Sequence, residues 1–340
     1  MKGGIFVQKK SVTISDIAKA CGTSTVTVSK ALGGKSGVGE ELREKIHTVA
    51  EEMGYIPIKS SSSKFNGTMG VLIHEKFINP NGSFYWALYI DLLACMKSKN
   101  ISCIQENITF DEEKNLNLPN MVVNGRVDGI ISLGQLDVDY VKKLKKANPN
   151  LILLDYYIPD FDADSISTNG YLGGYKLTKY LIEKGHKKIG YIGNVNATTS
   201  IFDRYMGYLK AMLESGLVAE KDFFISDREE NGIPFETITF PDALPTAFVC
   251  NCDETAVTAM RSLKNRGVSV PDNVSIVGYD NYLISEISDP PITTIDTDAK
   301  RLAELAVSTL ISRITDSSKP FVQHIVDGKL VEKASVKNNL

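Results

Sequence analysis

The chain has 340 residues, 43% of them hydrophobic, and a formal net charge of −3. That length implies more than one domain with ample room for a large core, and the composition excludes a disordered chain. No apolar run approaches the ~20 residues of a membrane span, and the segment 1–10 is too short and too weakly apolar for a secretion signal, so a cytoplasmic protein without a membrane partner is expected.

Residues 13–32 read as two short helices joined by a glycine-containing turn, the arrangement that places a second helix in the DNA major groove. Ala18 is small enough to let the helices cross closely. Gly22 suits a turn that needs positive φ, and Val28 can fill the angle between the helices. Thr13 and Ser24 are the expected N-caps. An αα corner in an ordinary core would give a similar pattern. A Gly-rich loop over 33–39 leads to a third helix from about Glu40 to Met53, on which Leu42, Ile46, Val49, Ala50 and Met53 form one apolar face. Gly54 ends it, and Tyr55-Ile56-Pro57 leaves in extended form. Through residue 65, ten bases stand against six acids, which gives +4 there and −7 over the rest. A basic head on an acidic body is the charge pattern of a DNA-binding domain carried by a regulatory one.

Residues 58–67 form a Ser-rich linker of flexible composition. From Thr68 onward, short β-rich runs are expected near 70–74, 102–105, 129–133, 151–155, 188–192, 246–249 and 274–278. Amphipathic helices lie between most of them, as over 173–184, 204–214 and 254–266. This alternation predicts parallel sheets in a doubly wound α/β arrangement. The number of βα units suggests two similar lobes, with a ligand cleft outside the carboxyl ends of the strands. The five cysteines are scattered and odd in number, which argues against a disulfide framework. Cys250 and Cys252 read as small apolar residues ending a buried strand rather than as a metal pair, and the four histidines are dispersed. No metal and no cofactor is expected.

Several motifs in order resemble the LacI/GalR family of bacterial transcription regulators. The stretch from Val12 to Lys30 is similar to the family's head-piece signature, and Gly54-Tyr55-Ile56-Pro57 to its end. Gly173-Gly174, then Gly185-His186-Lys187-Lys188-Ile189, resemble the start of the second lobe. Pro245-Thr246-Ala247-Phe248 before Asp253, Val277-Gly278-Tyr279-Asp280-Asn281, and Pro290-Pro291-Ile292 resemble later family segments. The resemblance implies a small all-α helix-turn-helix head-piece (1–57), a hinge (58–67) and a two-lobed α/β core (68–340) like that of periplasmic sugar-binding proteins. Three crossovers would put 68–163 and 293–320 in lobe one, and 164–292 and 321–340 in lobe two.

The resemblance also implies a repressor that binds a pseudo-palindromic double-stranded operator as a homodimer, gated by a small effector, with sugars the usual class. Thr25, Val26 and Lys30 match positions that face base edges; Lys30 can donate to guanine, and Val26 can only pack on a thymine methyl or exclude polar edges. Ser24, Thr27 and Ser29 fit phosphate contacts, which position the helix without reading sequence. Two departures stand out. The family's hinge ends in a leucine that wedges into the minor groove, whereas here the stretch is serine-rich and Phe65 is the apolar substitute on offer. Gly39 also stands where a capping serine is common.

For the effector, the resemblance points to Phe84 and Tyr85 as stacking aromatics, with Trp86 read as core packing. Arg204 would donate to ligand oxygens and Asp280 would accept from ligand hydroxyls or amines. Asn169, Thr198 and Cys252 are weaker candidates. The bland alternatives are a core cluster for the aromatics and an Arg204–Asp280 salt bridge. The segment 227–244 carries Gly232, Pro234 and Pro241 where the family has a helix, so the cleft rim should differ. A transport-type sugar-binding module would leave the head-piece without a role. Regulation by a purine or a phosphoprotein corepressor is the other alternative. No Gly-x-Gly-x-x-Gly, P-loop, Ser-His-Asp set or paired acid site supports an enzyme.

Overall fold

The computed structural model describes residues 14–32, 37–53, 65–78 and 83–340. The chain divides into two compact units, Met1–Phe65 and Asn66–Leu340.

In the first unit, α1 (Ile14–Cys21) and α2 (Thr25–Leu32) are joined through Gly22, which lies at φ +68. The Thr23 amide donates to the Ala18 carbonyl at 3.0 Å, which closes the turn. Ser24 caps α2, its Oγ accepting from the Thr27 amide at 3.1 Å. The third helix, α3 (Glu40–Glu52), lies over the pair. Its Arg43 Nη1 donates to the Ala31 carbonyl at 3.0 Å and satisfies one orphan acceptor at the end of α2. Ile17, Ala18, Cys21, Val28, Ala31, Ile46 and Ala50 are buried together, and Leu42, Val49 and Met53 pack against them. Ala18 and Val28 thus do what their spacing predicts. The Thr13 cap and residues 58–64 of the Ser-rich linker lie outside the described residues.

The second unit alternates strands and helices. It begins with β1 (Thr68–His74), α4 (Phe84–Ser98), β2 (Ser102–Ile108), and the short α5 (Phe110–Lys114) and α6 (Asn120–Val123). There follow β3 (Gly129–Leu133), α7 (Val138–Ala147), β4 (Leu151–Leu154), β5 (Asp164–Thr168), α8 (Gly170–Glu183), β6 (Ile189–Ile192) and α9 (Thr199–Glu214). Next come β7 (Phe224–Ile225), β8 (Ala247–Cys250), α10 (Asp253–Asn265), β9 (Ser275–Val277) and α11 (Leu283–Ile287). The chain closes with β10 (Thr294–Asp296), α12 (Ala299–Thr315), β11 (Gln323–Val326) and β12 (Lys329–Val331).

Lobe one is a six-stranded parallel sheet in the order β11-β5-β4-β3-β1-β2, and lobe two a four-stranded parallel sheet in the order β7-β6-β8-β9. Helices cover both faces, so central strands are apolar throughout: Met69, Val71, Leu72 and Ile73 in β1 and all four residues of β4 are buried. An antiparallel β10–β12 ladder continues lobe two through single bridges from Val277 to Thr293 and from Asp280 to Asp296.

Three expectations need correction. Strands β5 and β11 pair within lobe one, so the first and last crossovers come after Thr168 and Val326, not at 164 and 321. Both segments are short and rich in polar residues, so no apolar run marks them as strands. Arg204 does not open its helix: α9 starts at Thr199, capped by Thr198, and Arg204 sits in the second turn. Trp86 is not core; it is 52% exposed and packs its ring near Tyr89. As expected from its glycine and prolines, the stretch 226–246 holds no helix. It opens with a hairpin in which Arg228 bridges Pro234.

Candidate functional site

Helix α2 has two sides. Val28 and Ala31 are buried, whereas Ser24, Thr25, Val26, Ser29 and Lys30 are exposed. Thr25 and Ser29, like Val26 and Lys30, are one turn apart, so these four side chains share a free stripe. Val26 is 62% exposed, an apolar side chain left uncovered by the described residues. Ser24 and Thr27 share a hydroxyl contact of 2.8 Å at the helix start. Both remain at the N-terminal end, where the helix dipole and free amides favour an anion such as phosphate.

In the second unit, the carboxyl ends of both sheets face a cleft of about 840 Å³. Lobe one lines it with Phe77, Phe84, Tyr85, Phe110 and Asp155, and lobe two with Thr198, Arg204, Arg228, Asn251, Cys252 and Asp280. Aromatic groups dominate the first wall. Phe77 and Tyr85 have ring centroids 4.5 Å apart, and Phe84 meets Tyr85 edge-on at 5.5 Å. The Tyr85 hydroxyl donates to Asp155 Oδ2 at 2.9 Å. Burial and the neighbouring carboxylate hold that phenol well above its ordinary pKa, so it remains a neutral donor.

Arg204 is the centre of the second wall. It is buried, with Cζ 3.9 Å from the Tyr279 ring centroid. Nη1 donates to the Asn251 carbonyl at 2.7 Å and Nη2 to Asp280 Oδ1 at 3.5 Å, while Nε has no protein partner. A guanidinium has five donors, so several are left for a ligand. Asp155 Oδ1 is also buried without a partner. Burial pushes the carboxyl pKa of both Asp155 and Asp280 up, and Arg204 partly offsets this in each. Both acids occupy positive φ, +67 at Asp155 and +112 at Asp280, conformations that cost energy and that cluster at binding sites. Arg204 and Asp280 both belong to lobe two, so their contact does not bridge the cleft.

Backbone packing sets the position of Arg204. At Gly174 of α8, a Cβ would stand 2.1 Å from the Arg204 carbonyl oxygen, and at Gly207 of α9 one would stand 2.0 Å from the Tyr171 carbonyl oxygen. Only glycine at both places lets α8 and α9 approach this closely.

The cleft thus gathers Phe84, Tyr85, Thr198, Arg204, Cys252 and Asp280. Thr198 also caps α9 through Oγ1, and Cys252 caps α10 through Sγ, with its thiol pushed up to about 12 by burial and kept un-ionised. Asn169 is the correction. It is not among the lining residues: its Oδ1 caps α8 at the Leu172 amide, 3.0 Å away, and its Nδ2 donates to Asp327 at 2.8 Å.

Sequence reasoning passed over Asp155, Asp227, Arg228 and Lys76. Asp155 ends a β-rich run, the place where such folds bind ligands, and that signal was available. Asp227 and Arg228 had no motif to mark them. Their pairing becomes visible only in space, where Asp227 takes both Nε and Nη2 of Arg228 and is also bonded by Asn251 and Thr255.

Comparison with known proteins agrees with this geometry. Residues 13–57 match the family described as bacterial regulatory proteins, lacI family, and residues 178–336 match a periplasmic binding protein-like domain. The chain is 30% identical over 338 residues to the HTH-type transcriptional repressor PurR of Glaesserella parasuis serovar 5 (strain SH0165), covering 96% of this chain and 98% of the relative. It is 27% identical over 336 residues to the ribose operon repressor of Haemophilus influenzae (strain ATCC 51907 / DSM 11121 / KW20 / Rd), covering 95% and 98%. Its fold is similar to that of the lac repressor dimer bound to operator and the anti-inducer ONPF, with a TM-score of 0.66 at 21% identity over 96% of this chain and 100% of that one. A helix-turn-helix with a free reading stripe, a two-lobed α/β body and near full-length relatives together place the chain in the LacI family, as a DNA-binding transcriptional repressor.

Proposed function

We propose that this repressor is gated by a sugar or sugar derivative bound between the lobes. The observation that carries this reading is Arg204 with unspent donors, beside the carboxylates of Asp155 and Asp280 and opposite Phe84 and Tyr85. Vicinal hydroxyls can accept from the guanidinium and donate to the two acids, while the apolar face of the ring lies on Tyr85. Four of the lining aromatic rings, Phe77, Phe84, Tyr85 and Phe110, come from lobe one, whereas lobe two adds Phe235 and Tyr282 together with the polar groups of Arg204, Arg228 and Asn251. The sugar reading therefore rests on the concentration of hydroxyl-matching donors and acceptors at Arg204, Asp155 and Asp280 beside Tyr85. Thr198 and Cys252 supply secondary contacts.

On DNA, Thr25, Val26 and Lys30 read base edges, and Ser24, Thr27 and Ser29 hold phosphates. The repressor acts as a homodimer on a pseudo-palindromic operator, with half-sites about one helical turn apart. The 1–57, 58–67 and 68–340 boundaries are the working division for this reading, and the protein is expected in the cytoplasm.

The test is calorimetry with pentoses, hexoses, disaccharides, hypoxanthine and guanine on the wild type and on Arg204→Ala. One sugar should bind, and Arg204→Ala should weaken it by about 3 kcal/mol, the scale of two lost charge-assisted hydrogen bonds. Binding by a nucleobase and by no sugar overturns the sugar reading. Operator selection from random duplexes checks the DNA arm, and the selected site should be two-fold symmetric.

A further inference from the structure

Two cations reach the cleft mouth from opposite lobes. Lys76 follows β1, in the turn over Glu75–Phe77, and its stem packs on Gly232 of the 228–234 hairpin, with Cδ 3.5 Å from where a Cβ would stand. Arg228 begins that hairpin and lines the same cleft. Among the described residues, Lys76 Nζ has no hydrogen bond and no ion pair; it lies 5.1 Å from the Phe77 ring centroid. Burial pushes its pKa down, Glu113 and Asp137 pull it up, and Arg228 pushes it down again. Arg228 spends Nε and Nη2 on Asp227, and Nη1 has no bond to the described residues.

Three acids near the two cations already have partners, while Glu236 and Glu254 also line the cleft. Asp227 accepts from Asn194 N, Asn251 Nδ2, Thr255 Oγ1 and Arg228. Glu75 accepts from the Phe110 amide at 2.8 Å, and Glu113 accepts from the Asp137 amide and faces His74. Arg228 is ion-paired with Asp227 and keeps Nη1 for a further acceptor, so an anion between it and Lys76 would receive charge-assisted hydrogen bonds from both lobes.

We propose that the cleft mouth between Lys76 and Arg228 is an anion subsite, so that the effector is a sugar bearing a phosphate or a carboxylate. The inference rests on the cleft being the effector site. The sugar ring sits at Arg204, Asp155 and Asp280, and the anionic substituent points outward to Lys76 and Arg228. Because the two cations belong to different lobes, the anion bonds to both of them.

The test is calorimetry on the full chain with matched pairs: D-ribose and D-ribose 5-phosphate, D-glucose and D-glucose 6-phosphate, D-glucose and D-glucuronate. At least one anionic member should bind roughly tenfold more tightly than its neutral partner, a gap of about 1.4 kcal/mol. Lys76→Gln should remove that preference, and Lys76→Arg should keep it. Which arm responds tells phosphate from carboxylate, and thermal unfolding checks that the variants fold. Absence of any anionic preference, or a preference that survives Lys76→Gln, overturns the inference. Neutral-sugar binding that is lost in Arg204→Ala leaves the cleft reading intact in that case; anionic binding that survives Arg204→Ala overturns the cleft reading instead.

Discussion

Lys30 and Val26 sit one turn apart on the free side of a short helix, and they differ in what they can do. Lysine at a base edge contributes hydrogen bonds that one base accepts and others do not. Lys30→Ala should therefore cost about 1–3 kcal/mol of operator affinity and relax the preference at one base pair, measured by anisotropy at fixed salt. A uniform loss across all sequences would instead make it a phosphate contact. In the body, Asp253 offers a residue-scale pH test. Burial pushes its carboxyl from 3.8 up to about 7, although Thr294 Oγ1 donates to it at 2.6 Å. The folded state therefore holds a proton that the unfolded state has released between about pH 4 and pH 7. Stability from this group is highest below that window and declines through it. Urea unfolding of the wild type and Asp253→Asn at pH 5 and pH 8 should show the balance moving toward the asparagine variant at pH 8. Lys30 and Val26 were legible in the sequence, because a helix-turn-helix fixes which side of a short helix is free. Asp253 was not: its titration depends on burial beneath the 278–282 loop.

At the scale of elements, the α8–α9 pair positions the cleft. Gly174 and Gly207 each bring a Cα against the backbone of the opposite helix, and Arg204 stands on one of those contacts. Gly174→Ala forces a methyl group into the Arg204 carbonyl and should destabilise the body by about 1–3 kcal/mol, as overpacking does. It should also weaken effector binding by moving the guanidinium. Chemical denaturation and calorimetry on the same variant report the two effects separately. The glycine pair at 173–174 was visible as a resemblance to a family segment, but its reason, a backbone-to-backbone approach, appears only when both helices are present. The hairpin after β7 is the opposite case. Its glycine and proline spoke against the family's helix from composition alone, while the meeting of Gly232 with Lys76 depends on the two lobes being packed together.

At the scale of the whole molecule, the described residues include several exposed apolar pairs one turn apart, Phe202 and Met206 of α9 among them. On α4, Trp86 and Ile90 are 52% and 48% exposed; on α11, Leu283 and Ile287 are 70% and 71% exposed. Each pair lies one helical turn apart, a pattern that normally faces a partner. The proposed homodimer would use the α4 and α11 pairs as its contact. The double variant Ile90→Asp, Ile287→Asp should sediment as a monomer at micromolar concentration and lose tight operator binding, since each half-site alone supplies only part of the affinity. A dimer that survives the double change places the interface elsewhere.

The head-piece and the alternation of strands and helices could both be read along the chain. They depend on local periodicity, on caps and turn glycines, and on residue chemistry at strand and helix ends, and these are properties of neighbours in sequence. The membership of β5 and β11 in lobe one, the diversion of Asn169 to a helix cap, and the confrontation of Lys76 with Arg228 could not. Each depends on residues tens to hundreds of positions apart being brought together, and on burial that turns ordinary side chains into strong donors, acceptors or repelling charges.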